Sequence, residues 1–327
     1  MPLSPGSLSA MAEVVDLKEL GDQPRLSETA HSRRARFHQS WYRASRLGIP
    51  DWGSTPNGRP LGSILPDDHA AAGVNFTTPQ ARDLFLLRRT QGWGVDPVRM
   101  TSHMTSSQAL LVNLMGPLCS DSEWLLAVLQ AILGRHDVLE VVRWDVEFAP
   151  PARSRYLGDM TRVDAFFRLR TPDGIEGVVL ELKYTDRFSS RRLDLGNSAR
   201  YRALADRTGL WPEPGQAFSD GAISQLLRCH ALGARTLEVD NGGSQTTLLL
   251  VSHPADQDAV RTFEQYQRHL GDPAKGRHVG LDRLLDDALA TAPTERAASI
   301  VHELRLRYLD HDNSERLWVE HLAKSAR

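Results

Sequence analysis

The sequence predicts an α/β protein: a mixed sheet with helices on both faces, extended by helical additions at both ends. Three observations lead there. Two apolar runs, RVDAFFRLR and IEGVVLELKYTD, flank the turn-forming TPDG at 171–174, where Pro presets φ and Gly tolerates φ > 0. A strand-like run at 138–148 precedes them, and a short, fully apolar run, TTLLLVS, follows at 246–252. Helical patterns sit before the first strand and before the last. The resulting order of helix, strand, strand, strand, helix, strand is that of a layered α/β domain.

Residues 1–26 are small and polar, broken by Pro5, Gly6, Gly21 and Pro24, and read as a loose arm. Residues 27–120 read as a helical region. Ser27 is the expected cap of a helix stopped by Gly48 and Pro50, with Phe37, Trp41, Ala44 and Leu47 at helical spacing. The same helix carries Arg33, Arg34 and Arg36. They read either as phosphate contacts or as solvated arginines on an amphipathic helix. Residues 49–78, rich in Gly, Pro and Asp, read as an irregular connection anchored by Trp52 and Phe76. Helices are expected over 79–91 and over 106–118, the second ended by Gly116-Pro117.

Residues 121–253 read as the core. Asp121 or Ser122 caps its first helix, and Gly134 closes it. A loop at 149–161 leads into the hairpin. The polar stretch 187–218, with Arg187, Arg191 and Arg192, reads either as a substrate-facing loop or as a solvated insertion. Ser219 or Asp220 is expected to cap AISQLLRCHALGA, with Ile223, Leu226 and Leu227 inward and Gln225 and Arg228 together on another side. Residues 254–327 read as three or four helices separated at 271–280, 292–293 and 310–313.

The chain has 327 residues and a formal charge of −2, so any contact with nucleic acid must use local patches rather than a bulk basic field. Cys119 and Cys229 lie within apolar helical patterns and read as buried free thiols in a reducing compartment. No apolar run reaches membrane-spanning length, and no secretory pattern opens the chain. A cytoplasmic location is the expectation. The sequence lacks GxxxxGK, a GxGxxG after a strand, GxSxG and HExxH, and its twelve histidines are scattered. These absences argue against a nucleotide-driven motor, a serine hydrolase and a zinc protease.

The hairpin holds the chemistry that remains. With TPDG as the loop, Arg170 pairs with Ile175, and the same register sets Asp164 opposite Glu181. Directly paired Cβ atoms on one face lie roughly 5 Å apart. Glu181 and Lys183 share a face because strand side chains alternate. Lys183 is one of only four lysines among 39 basic residues. Paired carboxylate oxygens suit Mg²⁺ or Mn²⁺, and an ammonium beside them can stabilise charge developing on phosphorus. If Ala149 pairs with Arg162 across the preceding loop, Glu147 also falls opposite Asp164. It reads either as a third carboxylate at the metal or as a strand end in solvent. Glu123 is a weaker rival for that role.

RVDAFF followed by VVLELKYTD resembles the PD-(D/E)XK, or restriction-endonuclease-like, nuclease superfamily, and the order of elements over roughly 121–253 resembles its αβββαβ core. The resemblance implies that Asp164 and Glu181 bind metal, that Glu181 and Lys183 form the ExK, and that the Leu182 carbonyl is an extra ligand. Gln225 in ISQLLR matches the Gln that several branches carry on the helix after that strand. Val163 stands where the motif's name implies Pro. The implied activity is Mg²⁺- or Mn²⁺-dependent hydrolysis of DNA, in restriction or defence, with RNA and a homodimer left open. Cores of this kind also host catalytically silent nucleic-acid-binding or interaction modules.

Overall fold

The computed structural model describes residues 15–23, 28–189, 194, 198–243 and 245–325. Five strands lie side by side in chain order: β1 Glu140–Phe148, β2 Val163–Thr171, β3 Gly174–Lys183, β4 Thr246–Ser252 and β5 Gly276–Gly280. Strands β1, β2 and β3 are antiparallel, and β3, β4 and β5 are parallel, so the sheet is mixed as expected. The hairpin has the register its turn predicts. Thr171 pairs with Gly174, and Arg170 with Ile175. Gly174 takes φ +130°, a conformation that L side chains rarely adopt. Strand β5 was not expected. Its sequence, GRHVG, lies inside a stretch that reads as a separator, and it is held by pairing to β4 rather than by an apolar pattern of its own.

The helices, in chain order, are α1 Ala30–Ser45, α2 Asp67–Ala72, α3 Pro79–Thr90, α4 Pro97–Ser102, α5 Ser107–Cys119, α6 Ser122–Leu133, α7 Ala199–Thr208, α8 Pro214–Ser219, α9 Ser224–Asn241, α10 Gln257–Gln267, α11 Leu281–Ala290, α12 Glu295–Tyr308 and α13 Glu315–Ser325. One face of the sheet buries Phe167, Leu180 and Leu182 against α5, α6, α11 and α12. The other buries Phe166, Val179 and Leu248 against α7, α8, α9 and α10. A third cluster gathers Phe37, Trp41 and Tyr42 of α1 with Val15, Leu20 and Leu317.

Several local expectations change. Ser27 lies outside the described residues, as do 1–14 and 24–26. The side chain that caps α1 is Thr29, which accepts from Ser32 N. The described part of the arm is not loose: Val15 and Leu20 are buried, and Gly62 N donates to Asp22 O. The connection at 49–78 contains α2. Helix α5 runs through Gly116-Pro117. The backbone bond lost at Pro117 is offset by burial of Leu114, Met115 and Leu118. Gly116 serves contact instead, since a Cβ there would stand 2.5 Å from the Ala81 backbone of α3. The polar stretch after β3 folds into α7, which buries Tyr201, Leu204 and Ala205. Helix α9 starts at Ser224, with Ile223 at its N-cap. Ser219 and Asp220 close α8 instead, and Asp220 accepts from Ala222 N and Gln265 Nε2.

Four histidines, two from α1 and two from distant parts of the chain, converge beside the end of β3. His31 stacks on His253 at 4.4 Å, His253 on His311 at 5.1 Å, and His311 meets His38 at 4.7 Å. His31 Nε2 lies 2.6 Å from Tyr184 O. Burial first, then neighbouring histidines or Arg34, push His38 down to about 4, His253 to about 3 and His311 to about 2. Buried neutral histidines bind fewer protons than they do in the unfolded chain. Their contribution is therefore intact above pH 6.5 and is lost as pH falls toward the folded values, by about 1.4 kcal/mol per pH unit for each group. We expect the melting temperature to drop steeply between pH 6.5 and 4.5. His253→Gln should flatten that slope, and a melting temperature that holds constant across this range would contradict the account.

Candidate active site

Helix α9 approaches β3 through a stripe of Gln225, Cys229 and Gly233, spaced by four and so on one helix face. Gly233 permits the approach, because a Cβ there would stand 2.0 Å from Val179 Cγ2. The two side chains above it thereby reach Glu181. Gln225 Nε2 donates to Glu181 Oε1 at 2.5 Å, and Cys229 Sγ donates to Oε2 at 3.4 Å. Lys183, two residues along the strand, places Nζ 2.8 Å from Glu181 Oε1. Glu181 and Lys183 are only 2% and 6% exposed. Phe188 lies over the ammonium, its ring centre 4.9 Å from Nζ, and Ser189 N donates to Gln225 Oε1.

Asp164 continues the β2–β3 register to the position opposite Glu181, and its Oδ2 accepts from Leu182 N at 2.7 Å. On the other side of β2, Val146 pairs with Ala165 and Phe148 with Val163, which sets Glu147 opposite Asp164. Glu147 is buried and, among the described residues, is the one non-glycine with a left-handed backbone, φ +50°. Such conformations cost of order 1–3 kcal/mol and persist where surroundings impose them. Arg88 holds the carbonyl of this residue, with Nε donating to Glu147 O at 2.8 Å. Gln108, in the first turn of α5, donates to Glu147 Oε2 at 2.7 Å, while Oε1 is buried without a partner.

The carboxylates sit in an environment that resists their charge. Burial, then Glu181 and Glu147, push the Asp164 carboxyl well above its ordinary range, against the pull of Lys183 and Leu182 N–H. Burial pushes Glu147 up to about 7, with Arg162 and the Gln108 bond opposing and Glu181 adding. Burial alone would lower Lys183, but Glu181 and Asp164 outweigh it, and the ammonium is held above its usual value.

A family model described as the PD-(D/E)XK nuclease superfamily matches residues 26–310. The chain belongs to that superfamily. No curated protein and no solved structure matches it. The PD-(D/E)XK match extends well beyond 121–253, and residues before that range reach the site. Helix α5 supplies Gln108 to Glu147. Its Ser107 accepts from Tyr184 N through Oγ and donates through its backbone N–H to Asp186. Membership supports a nuclease, a hydrolase of phosphodiester bonds in nucleic acid, of a kind that typically uses divalent metal ions.

The residues present fit such an ion. Buried Glu181 and Glu147 and half-buried Asp164 share one ammonium, and Glu147 Oε1 is an acceptor with no partner among the described residues. Among the described residues, no three His, Cys, Asp or Glu side chains form a ready-made cage. That is compatible with Mg²⁺, which commonly takes one or two carboxylates and keeps several waters.

The expected nucleic-acid contacts fare differently. Arg34 is spent on Ser314, His311 O and Glu315, and Arg36 on Glu28 and Thr105. Both tie α1 into the fold. Arg33 is half-buried, and Arg187 is exposed. Arg191 and Arg192 lie outside the described residues. Glu123 stands exposed in the first turn of α6. Arg88, Gln108, Cys229 and Arg162 were not singled out for the site from sequence. Only Arg162, two residues ahead of Asp164, and Cys229, one turn after Gln225, carried a positional signal.

Repulsion among these carboxylates generates a prediction. Asp164 has a raised folded value, so its ionisation opposes folding as pH rises. Asp164→Asn keeps an acceptor for Leu182 N and removes the charge. We expect it to raise the melting temperature of the metal-free protein at pH 8 by a few degrees and to abolish the further rise that Mg²⁺ gives the wild type by mass action. Equal Mg²⁺ shifts in both proteins would remove Asp164 from the ligand set.

Proposed function

We propose that the chain is a Mg²⁺- or Mn²⁺-dependent deoxyribonuclease that hydrolyses phosphodiester bonds of DNA. The observation that supports this most is the convergence of half-buried Asp164 with buried Glu181, Glu147 and Lys183 at the end of a hairpin. Asp164 and Glu181 would hold the metal, and the Leu182 carbonyl and Glu147 would be further ligands. A divalent ion there supplies positive charge to the phosphate and lowers the pKa of water. Gln225 and Cys229 fix the rotamer of Glu181, one on each oxygen. Lys183 directs its ammonium toward the attacking water and the charge that develops on the phosphoryl oxygens. The apolar surroundings, including Phe188, exclude bulk water and so strengthen these charges. A cytoplasmic site of action and a role in restriction or defence against foreign DNA accord with the free thiols and the family. Among the described residues no helix is long and apolar enough to cross a membrane.

A second reading, a binding module without catalysis, draws on one feature. Both oxygens of Glu181 already have internal partners, and Phe188 covers Lys183. Incubation with plasmid, linear and single-stranded DNA, with Mg²⁺ or EDTA, separates the two. We expect Mg²⁺-dependent cleavage that EDTA abolishes. Lys183→Ala should slow it by about 10²-fold or more while leaving DNA affinity nearly intact, the signature of a group that acts in the transition state. Lys183→Arg should not restore the rate, because a planar fork cannot replace a compact ammonium in a crowded site. Cleavage by Lys183→Ala at the wild-type rate would remove Lys183 from the mechanism.

A further inference from the structure

We propose that Arg162 is a substrate-gripping residue of this site, holding a DNA phosphate beside the carboxylates with a preset guanidinium fork. The inference deepens the nuclease reading and rests on it.

Arg162 lies two residues ahead of Asp164, about 7 Å along an extended chain. It is exposed, while the carboxylates behind it are largely buried. Arg162 therefore stands where the negative backbone of a substrate would meet the negative cluster, and it is a cation at that boundary.

Its bonding differs from that of Arg168, Arg143, Arg99 and Arg88. Arg168 is paired with Asp145 and Asp240, Arg143 with Asp145, and Arg99 with Asp186. Arg88 is buried and bonds the carbonyls of Glu147 and Trp93. Arg162 has no carboxylate partner among the described residues. It donates through Nη1 to the carbonyl of Gly94. One nitrogen is thus anchored on a neutral acceptor, and Nε and Nη2, which have no partner among the described residues, are open to a bidentate contact with an anion. Charge-assisted, two-point bonding of this kind is how guanidinium groups recognise phosphate.

The anchor itself is built for the task. Gly94 O also accepts from Gln108 Nε2 at 3.2 Å, so one carbonyl orients both Arg162 and the side chain that holds Glu147. Gly94 takes φ +121°, and a Cβ there would stand 2.9 Å from Arg88 Nη2 and 3.0 Å from Ala149 Cβ. The turn can approach β1 this closely only as glycine. With its stem preordered, Arg162 loses less side-chain freedom on gripping a phosphate than a free surface arginine would.

Two variants test the idea. Arg162→Ala removes the cation, and Arg162→Gln removes it while keeping a donor for Gly94 O. Both should melt with the wild type. Affinity for a double-stranded oligonucleotide is measured in EDTA across a salt series, and cleavage is measured separately with Mg²⁺. We expect both variants to lower the slope of log K against log salt by about one unit, the mark of one lost phosphate contact. Cleavage should fall by about 10²-fold. Slopes equal to the wild type's overturn the inference, whatever happens to the rate. A wild type that binds with the steeper slope but does not cleave refutes the nuclease reading and leaves the phosphate contact standing. A wild type that does not bind DNA overturns both.

Discussion

Like charges crowded into a nearly dry space dominate this molecule. Asp164, Glu181 and Glu147 face one another with Lys183 as the single ammonium among them. Desolvating an ion costs several kcal/mol even after relaxation, and removing a partner from such a group costs more. The cluster exists because the scaffold imposes it. Leu182 N–H, Gln225, Cys229 and Gln108 each bond a carboxylate oxygen, and Arg88 fixes the backbone under Glu147. These groups are themselves held by packing on both sheet faces. The large apolar clusters beneath β2 and β3 supply the stability that such an arrangement consumes.

The hairpin was legible in the sequence because its register follows from local chemistry. Pro172, Asp173 and Gly174 fix the turn, and counting outward by pairs fixes which side chains oppose each other. The same counting set Glu147 against Asp164, since the loop between β1 and β2 leaves the register intact. Helix α6 was legible at both ends through Asp121 and Gly134. In each case the deciding interaction lies within a few residues along the chain, or is propagated by the strict two-residue period of a strand.

What was not legible depends on partners distant in sequence. Gln108 reaches Glu147 across 39 positions, and Arg88 reaches it across 59. Nothing local marks either as part of a site. The histidine stack draws on residues 31, 38, 253 and 311, which in sequence merely look scattered. Arg34 and Arg36, which in sequence read as phosphate contacts or solvated arginines, satisfy acids, hydroxyls and a carbonyl inside the fold. Strand β5 is not legible in sequence because five residues with two glycines carry no period. Helix α7 did carry one, in Tyr201, Leu204 and Ala205, but its surrounding arginines suggested an exposed loop.

The backbone of β1 has a bearing on association between copies. This strand is an outer edge of the sheet, and an exposed edge is a template for pairing with a second chain. Two interruptions spoil the template. The register shifts between Val141 and Arg143, and the left-handed turn at Glu147 breaks the run of outward-facing amides six residues or fewer later. The charged Glu140 and Arg143 stand along the same margin. The conformation that carries Glu147 into the carboxylate cluster therefore also blunts the edge against sheet-to-sheet polymerisation.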